Sequence, residues 1–188
     1  MSYKNENMKM IELHENGLDI QFRIRENGVV ELADFSSQEV KKAVMEPKED
    51  ICYPAVEIHR SGTGSLNMHA YKNNINQSSV DFVYENHELK AQDGGKELEI
   101  VMISSEKLKA VYHMRLFDGV PAVQTWTEII NEGSADQGLT YVSSFMYQGI
   151  SRGGEKPYYK KTDIYVPFNS WCCEAQWQKY DAETLNLN

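Results

Sequence analysis

Acid–base and nucleophilic chemistry need particular side chains held near one another, and this chain offers several candidate types. It carries 28 Asp and Glu residues, but no spacing among them singles out a facing pair. The five histidines, His14, His59, His69, His87 and His113, are scattered and sit mostly inside β-type runs. In such runs a histidine is expected as a cross-strand surface partner or a satisfied core group rather than a catalyst. The paired serines Ser78-Ser79 and Ser143-Ser144 lack the Gly-x-Ser-x-Gly turn that exposes a nucleophile. Cys52 has no basic partner close in sequence and reads as a small buried residue. Ser61-Gly62-Thr63-Gly64 joins strand-like runs instead of opening a helix, so it predicts a turn and not a phosphate cradle.

The aromatic residues are more informative. Tyr158, Tyr159, Tyr165, Phe168, Trp171, Trp177 and Tyr180 fall in one short stretch. A flat ring covers the C–H-rich face of a sugar, while a neighbouring carboxylate or amide fixes its hydroxyls. The other reading open to these rings is to fill a core or an interface.

The elements that must position these groups are strands. Residues 20–25 alternate apolar and polar, Asn27-Gly28 follows, and residues 29–32 resume the pattern, which predicts a hairpin. Residues 80–84 form a second β-rich run. After Asp93-Gly94-Gly95, Leu98, Ile100 and Met102 share one face. Leu108, Ala110, Tyr112, Met114 and Leu116 share a face of the next strand. Asp118-Gly119 turns the chain into residues 120–131. Asn131-Glu132-Gly133 turns it again, and residues 139–150 read as a further strand of the same meander. Residues 36–44 fit either a serine-capped helical turn or a loop, residues 151–162 a polar loop, and residues 181–185 a short helical turn. The expected class is all-β, an antiparallel sandwich of the supersandwich type, with residues 1–188 forming part of a larger domain.

Composition sets the limits. The 188 residues are 41% hydrophobic and 11% aromatic, enough for a core. Lys and Arg number 19, for a net charge of −9, with no basic stripe. Such a surface repels nucleic acid and anionic membranes. The polar start and the lack of any apolar run near about 18 residues give no sign of a signal peptide or membrane span. Three cysteines, two of them adjacent (Cys172 and Cys173), suit reduced thiols in a cytoplasmic protein. No Cys-x-x-Cys spacing points to zinc, and neither a metal nor a cofactor is expected.

Three segments resemble the N-terminal domain of family 36 glycoside hydrolases, the α-galactosidase group. Residues 112–133 resemble the strand–turn–strand carrying Tyr, Asp-Gly, Pro, Trp and Asn-x-Gly. Residues 141–145 (Tyr-Val-Ser-Ser-Phe) and 169–177 (Asn-Ser-Trp-Cys-Cys-Glu-Ala-Gln-Trp) add weaker likenesses, and the whole runs from about Ile11 to the end. The resemblance implies a supersandwich beside a (β/α)8 barrel whose two aspartates retain configuration. A barrel needs about 200 residues, so this chain is expected to hold no catalytic residue and to be inactive alone. Its stop at Asn188 without a closing strand fits a longer parent.

Two substrate-binding positions carry over. Asp50 precedes Pro54-Ala55 as in the family's Asp-Phe-Arg-x-Pro-Ala, with Cys52 replacing Arg. It implies contact with a galactose hydroxyl, against the alternative of a solvated acid. Trp171, followed by Glu174, resembles the Trp that walls the galactose site, with Cys173 where Arg is usual. The implied partners are an α-galactoside, the absent barrel and further copies of the chain. A free-standing carbohydrate-binding sandwich is the alternative.

Overall fold

The computed structural model describes residues 9–37, 52–64, 77–147 and 162–185. It divides into two compact units, Met1–Gln148 and Gly149–Asn188. The strands of the first unit are β1 (Lys9–Glu15), β2 (Leu18–Ile24), β3 (Val30–Ser37), β4 (Ile58–Arg60), β5 (Val83–Gln92), β6 (Gly95–Ile103), β7 (Leu108–Phe117), β8 (Val120–Asn131) and β9 (Leu139–Val142). They form a three-stranded sheet β1-β2-β3, a four-stranded sheet β5-β6-β7-β8 and a pair β4-β9, all antiparallel. Among the described residues the only helical element is the 3-10 turn Ser79–Asp81, and no helix is long and apolar enough to cross a membrane.

Period-two alternation makes the two larger sheets into facing layers. The register Ile11↔Phe22↔Leu32 and Leu13↔Ile20 puts one set of apolar side chains on a single face of the first sheet. Leu98↔Met114, Ile100↔Tyr112 and Met102↔Ala110 do the same for the second. These faces merge into one buried cluster, at whose centre Phe22 and Tyr112 meet edge to face at 5.7 Å. Both rings are almost fully enclosed.

Gly95 and Gly28 are among the glycines required by close approach. A Cβ on Gly95 would stand 1.9 Å from the carbonyl oxygen of Leu116, so the β5–β6 turn can lie against the end of β7 only with glycine there. Gly28 closes the β2–β3 hairpin at φ +84°, and a Cβ would meet that of Val83 at 2.9 Å. Its carbonyl accepts the N–H of Tyr84 at 2.8 Å, tying the hairpin tip to β5.

Several local expectations change. The run 80–84 starts as a 3-10 turn because the Ser78 and Ser79 hydroxyls accept the N–H groups of Arg60 and Ile58, at 3.2 and 2.9 Å; β5 starts only at Val83. Of the strand expected at 139–150, residues 148–150 lie outside the described residues, and the described residues form only Leu139–Val142, which leaves the meander to pair with β4. There the buried Ser143 hydroxyl accepts the Glu57 N–H at 2.8 Å, and the Ser143 N–H donates to the Glu57 carbonyl. The edge strand β1 alternates Ile11 and Leu13 with polar residues, and Asn16-Gly17, both at positive φ, turns it into β2. Ser36 and Ser37 end β3, whereas residues 38–44 and 151–161 lie outside the described residues.

The second unit holds the hairpin of β10 (Asp163–Ser170) and β11 (Cys173–Asp181). The helical turn expected at 181–185 is a non-helical turn. Asp181 Oδ1 accepts the Thr184 N–H at 2.6 Å, which also holds the Asp181 carboxyl below its ordinary pKa.

Removing the central ring tests the two-layer core. Phe22→Ala is expected to cost about 3–5 kcal/mol in urea unfolding. Leu89→Ala, on the exposed edge strand, is expected to change stability by less than about 0.5 kcal/mol. Equal small losses would contradict the assignment of Phe22 to the core.

Candidate functional site

The stretch that follows the predicted Asp50 is anchored, from Tyr53 onward, by a buried carboxylate. Glu31, on β3, accepts Arg25 at 3.0 Å and the Tyr53 N–H at 2.9 Å through Oε1. Arg23 approaches its Oε2 at 3.4 Å. The Ala55 N–H donates to the Val30 carbonyl at 2.7 Å. The chain from Tyr53 to Ala55 therefore runs along the end of β3, and Ala55 is buried where a larger side chain would have to displace its neighbours. Asp50 itself lies outside the described residues. Cys52, in the position the resemblance gives to Arg, is half-buried. Burial, reinforced by the charge of Glu31, pushes its thiol up to about 11.

Trp171 lies in the turn between β10 and β11 and is 93% exposed. Cys172, next to it, has φ +59°, an unusual conformation for a side chain other than glycine. Asn169 Oδ1 accepts the Ala175 N–H at 2.7 Å and holds the turn closed. Asn169, Ser170, Glu174 and Ala175 line an open depression there. The register Tyr165↔Lys179 and Pro167↔Trp177 places these four residues on one face of the hairpin. Tyr165 is 57% exposed and Trp177 64%. Of the sequence-predicted aromatic cluster, five rings thus belong to one hairpin, while Tyr158 and Tyr159 lie outside the described residues. The arrangement offers flat apolar rings beside amide and carboxylate groups.

The face of the four-stranded sheet turned away from the core holds a second polar group. Glu97 and Glu99 project from β6, and His113 on β7 stands directly opposite Glu99. His113 Nδ1 lies 2.8 Å from Glu97 Oε1, and Trp126 on β8 stacks on the imidazole at 4.6 Å and 5°. Glu97 and His113 are both buried despite this outward orientation, because neighbouring long side chains and the indole cover them. His113, expected as a cross-strand surface partner or a satisfied core group, stands across the strands from Glu99 and reaches Glu97. The signal was Glu-x-Glu on one strand facing a histidine on the next, and it became visible only once the register was known.

The cysteines separate the buried from the exposed positions. At pH 7.5, iodoacetamide is expected to alkylate Cys172 and Cys173, both exposed, well before Cys52. A thiol at about 11 holds roughly 100-fold less thiolate than an ordinary one. Peptide mass spectrometry over time reads the order, and equally fast labelling of Cys52 would contradict its burial.

No protein-family model matches the chain. No curated protein matches it. Among solved structures, the chain is similar to the GH36 α-galactosidase AgaA from Geobacillus stearothermophilus, at 12% identity and a TM-score of 0.45, over 66% of this chain and 22% of that one. A doubly substituted variant of that enzyme, in complex with raffinose, gives 12% identity, a TM-score of 0.43 and the same coverage. The chain thus spans about a fifth of the length of the solved enzyme it resembles.

Proposed function

We propose that this chain is the N-terminal, non-catalytic β-sandwich domain of a cytoplasmic α-galactosidase that removes terminal α-galactosides with retention of configuration. In this reading the domain supports assembly of the oligomer and lends walls to a galactose site whose acids lie in a separate barrel. The observation that carries the reading is the fold of residues 112–133. The segment with the most specific family resemblance lies on β7 and β8, in register from Tyr112↔Thr127 to Leu116↔Val123, with Asp118-Gly119 at the turn. Asp50 and Trp171 are the proposed contacts with the sugar, within one subunit or across a boundary between subunits.

The second reading, a free-standing carbohydrate-binding module, is favoured by the exposed rings of Tyr165 and Trp177 on one hairpin face. The two readings differ in what the isolated chain does. As a domain of a larger enzyme, it is expected to give no hydrolysis of an aryl α-galactoside and no calorimetric response to galactose at high concentration. A clear binding isotherm would favour the module, and turnover by this chain alone would overturn the proposal. In the parent enzyme, Trp171→Ala is expected to lower kcat/KM at least about ten-fold, the loss of roughly one stacked ring. The oligomer should persist in size-exclusion chromatography; loss of assembly with the kinetics per subunit unchanged would instead make Trp171 an interface residue.

A further inference from the structure

We propose that Glu97, Glu99 and His113 form a binding site for a divalent transition-metal ion, with Zn2+ as the fitting example. The three residues each offer one ligand atom, and these atoms all lie within 4.8 Å of one another. His113 Nδ1 stands 2.8 Å from Glu97 Oε1 and 3.9 Å from Glu99 Oε1. Tetrahedral donors about 2.1 Å from a zinc ion stand roughly 3.4 Å apart. The first of these gaps must therefore open and the second close by about half an ångström each, and the third, between the two carboxylates and at most 4.8 Å, must close by no more than about 1.4 Å, changes within the reach of glutamate side-chain torsions.

The second oxygens of both carboxylates are already engaged. Gln92 donates to Glu97 Oε2 at 3.1 Å, and Lys90 donates to Glu99 Oε2. Each glutamate thereby turns its Oε1 toward the imidazole, as the outer partners of a metal ligand do. Trp126 fixes the plane of the ring from its stacked position.

The histidine supplies an independent observation. His113 is 8% exposed, and its Nε2 makes no hydrogen bond; Glu128 Oε2 is 3.8 Å away, beyond hydrogen-bond reach. If Nδ1–H donates to Glu97, Nε2 keeps a buried lone pair with no donor. Metal on Nδ1 moves the proton to Nε2, where it faces the carboxylate of Glu128. That side chain lies on β8 and is 58% exposed, so it has room to close the gap. One imidazole among two carboxylates favours a borderline ion such as Zn2+ over Mg2+ or Ca2+, which take all-oxygen shells. Water completes the coordination, and Glu99 is the more exposed of the two carboxylates.

The test is calorimetry of zinc chloride into the full chain after EDTA treatment and dialysis. A Cys172→Ser/Cys173→Ser background removes the adjacent exposed thiols, which would themselves take zinc. One equivalent should bind with micromolar affinity and raise the melting temperature, while Mg2+ at the same concentration should do neither. Glu99→Gln and His113→Gln should each weaken zinc at least ten-fold. Gln92→Ala, which leaves all three ligands in place, should weaken it by a smaller factor. Circular dichroism melting confirms that Glu99→Gln, at a partly exposed position, keeps its fold. No heat with zinc, an equal response to Mg2+, or zinc binding unchanged in folded Glu99→Gln would overturn the proposal.

Discussion

The contact of Phe22 with Tyr112 is the point from which the first unit is organised. Each ring belongs to a different sheet, so burying both requires the two sheets to lie face to face. Once they do, strict alternation decides every other side chain of the central strands. On β7 the residues 110, 112, 114 and 116 are enclosed, so those between must turn away from the core. A slip of one residue in register would expose the whole apolar set and bury Lys109 and Arg115 instead.

That same constraint produces the His113 cluster. The outer face of β6 and β7 cannot be chosen freely, because its residues are those left over from the core pattern. Glu97, Glu99 and His113 occupy three such positions on adjacent strands, so their convergence is a product of registry. Shielding by Trp126, Lys90 and Gln92 then gives a nominally outward face some properties of an interior. Polar groups there depend on one another in a way exposed groups do not.

Much of this was legible from alternation and turn residues alone. The core faces of β6 and β7, the Asn27-Gly28 hairpin and the Asp118-Gly119 turn all follow from local sequence, because period two and positive φ are local properties. Three features were not. The pairing of β4 with β9 joins His59 to Tyr141, and no short window contains both. The early part of the 80–84 run turns because of hydroxyls bound to β4, an interaction fixed by tertiary structure. The mutual approach of Glu97, Glu99 and His113 needs the register of two strands. Trp171 could be named from sequence, and the structure places it at a hairpin tip; Asp50 could be named but lies outside the described residues.

The pairing of β4 with β9 also bears on the order in which the chain acquires its structure. The four strands from β5 to β8 follow one another through short connections, so their ladder closes small loops and can assemble early. The β4–β9 ladder must wait for a loop of some eighty residues to close, and that loop contains the entire meander. It also has only three paired positions to hold it. Arg60 strengthens that junction from β4, reaching Asp81 at 3.1 Å and Glu106 at 3.0 Å, and so fastens the late strand to the turn before β5 and to the turn between β6 and β7. In hydrogen exchange, the amides of β4 and β9 would then open by local fluctuation, while those at the centre of β6 and β7 would exchange only when the whole unit unfolds.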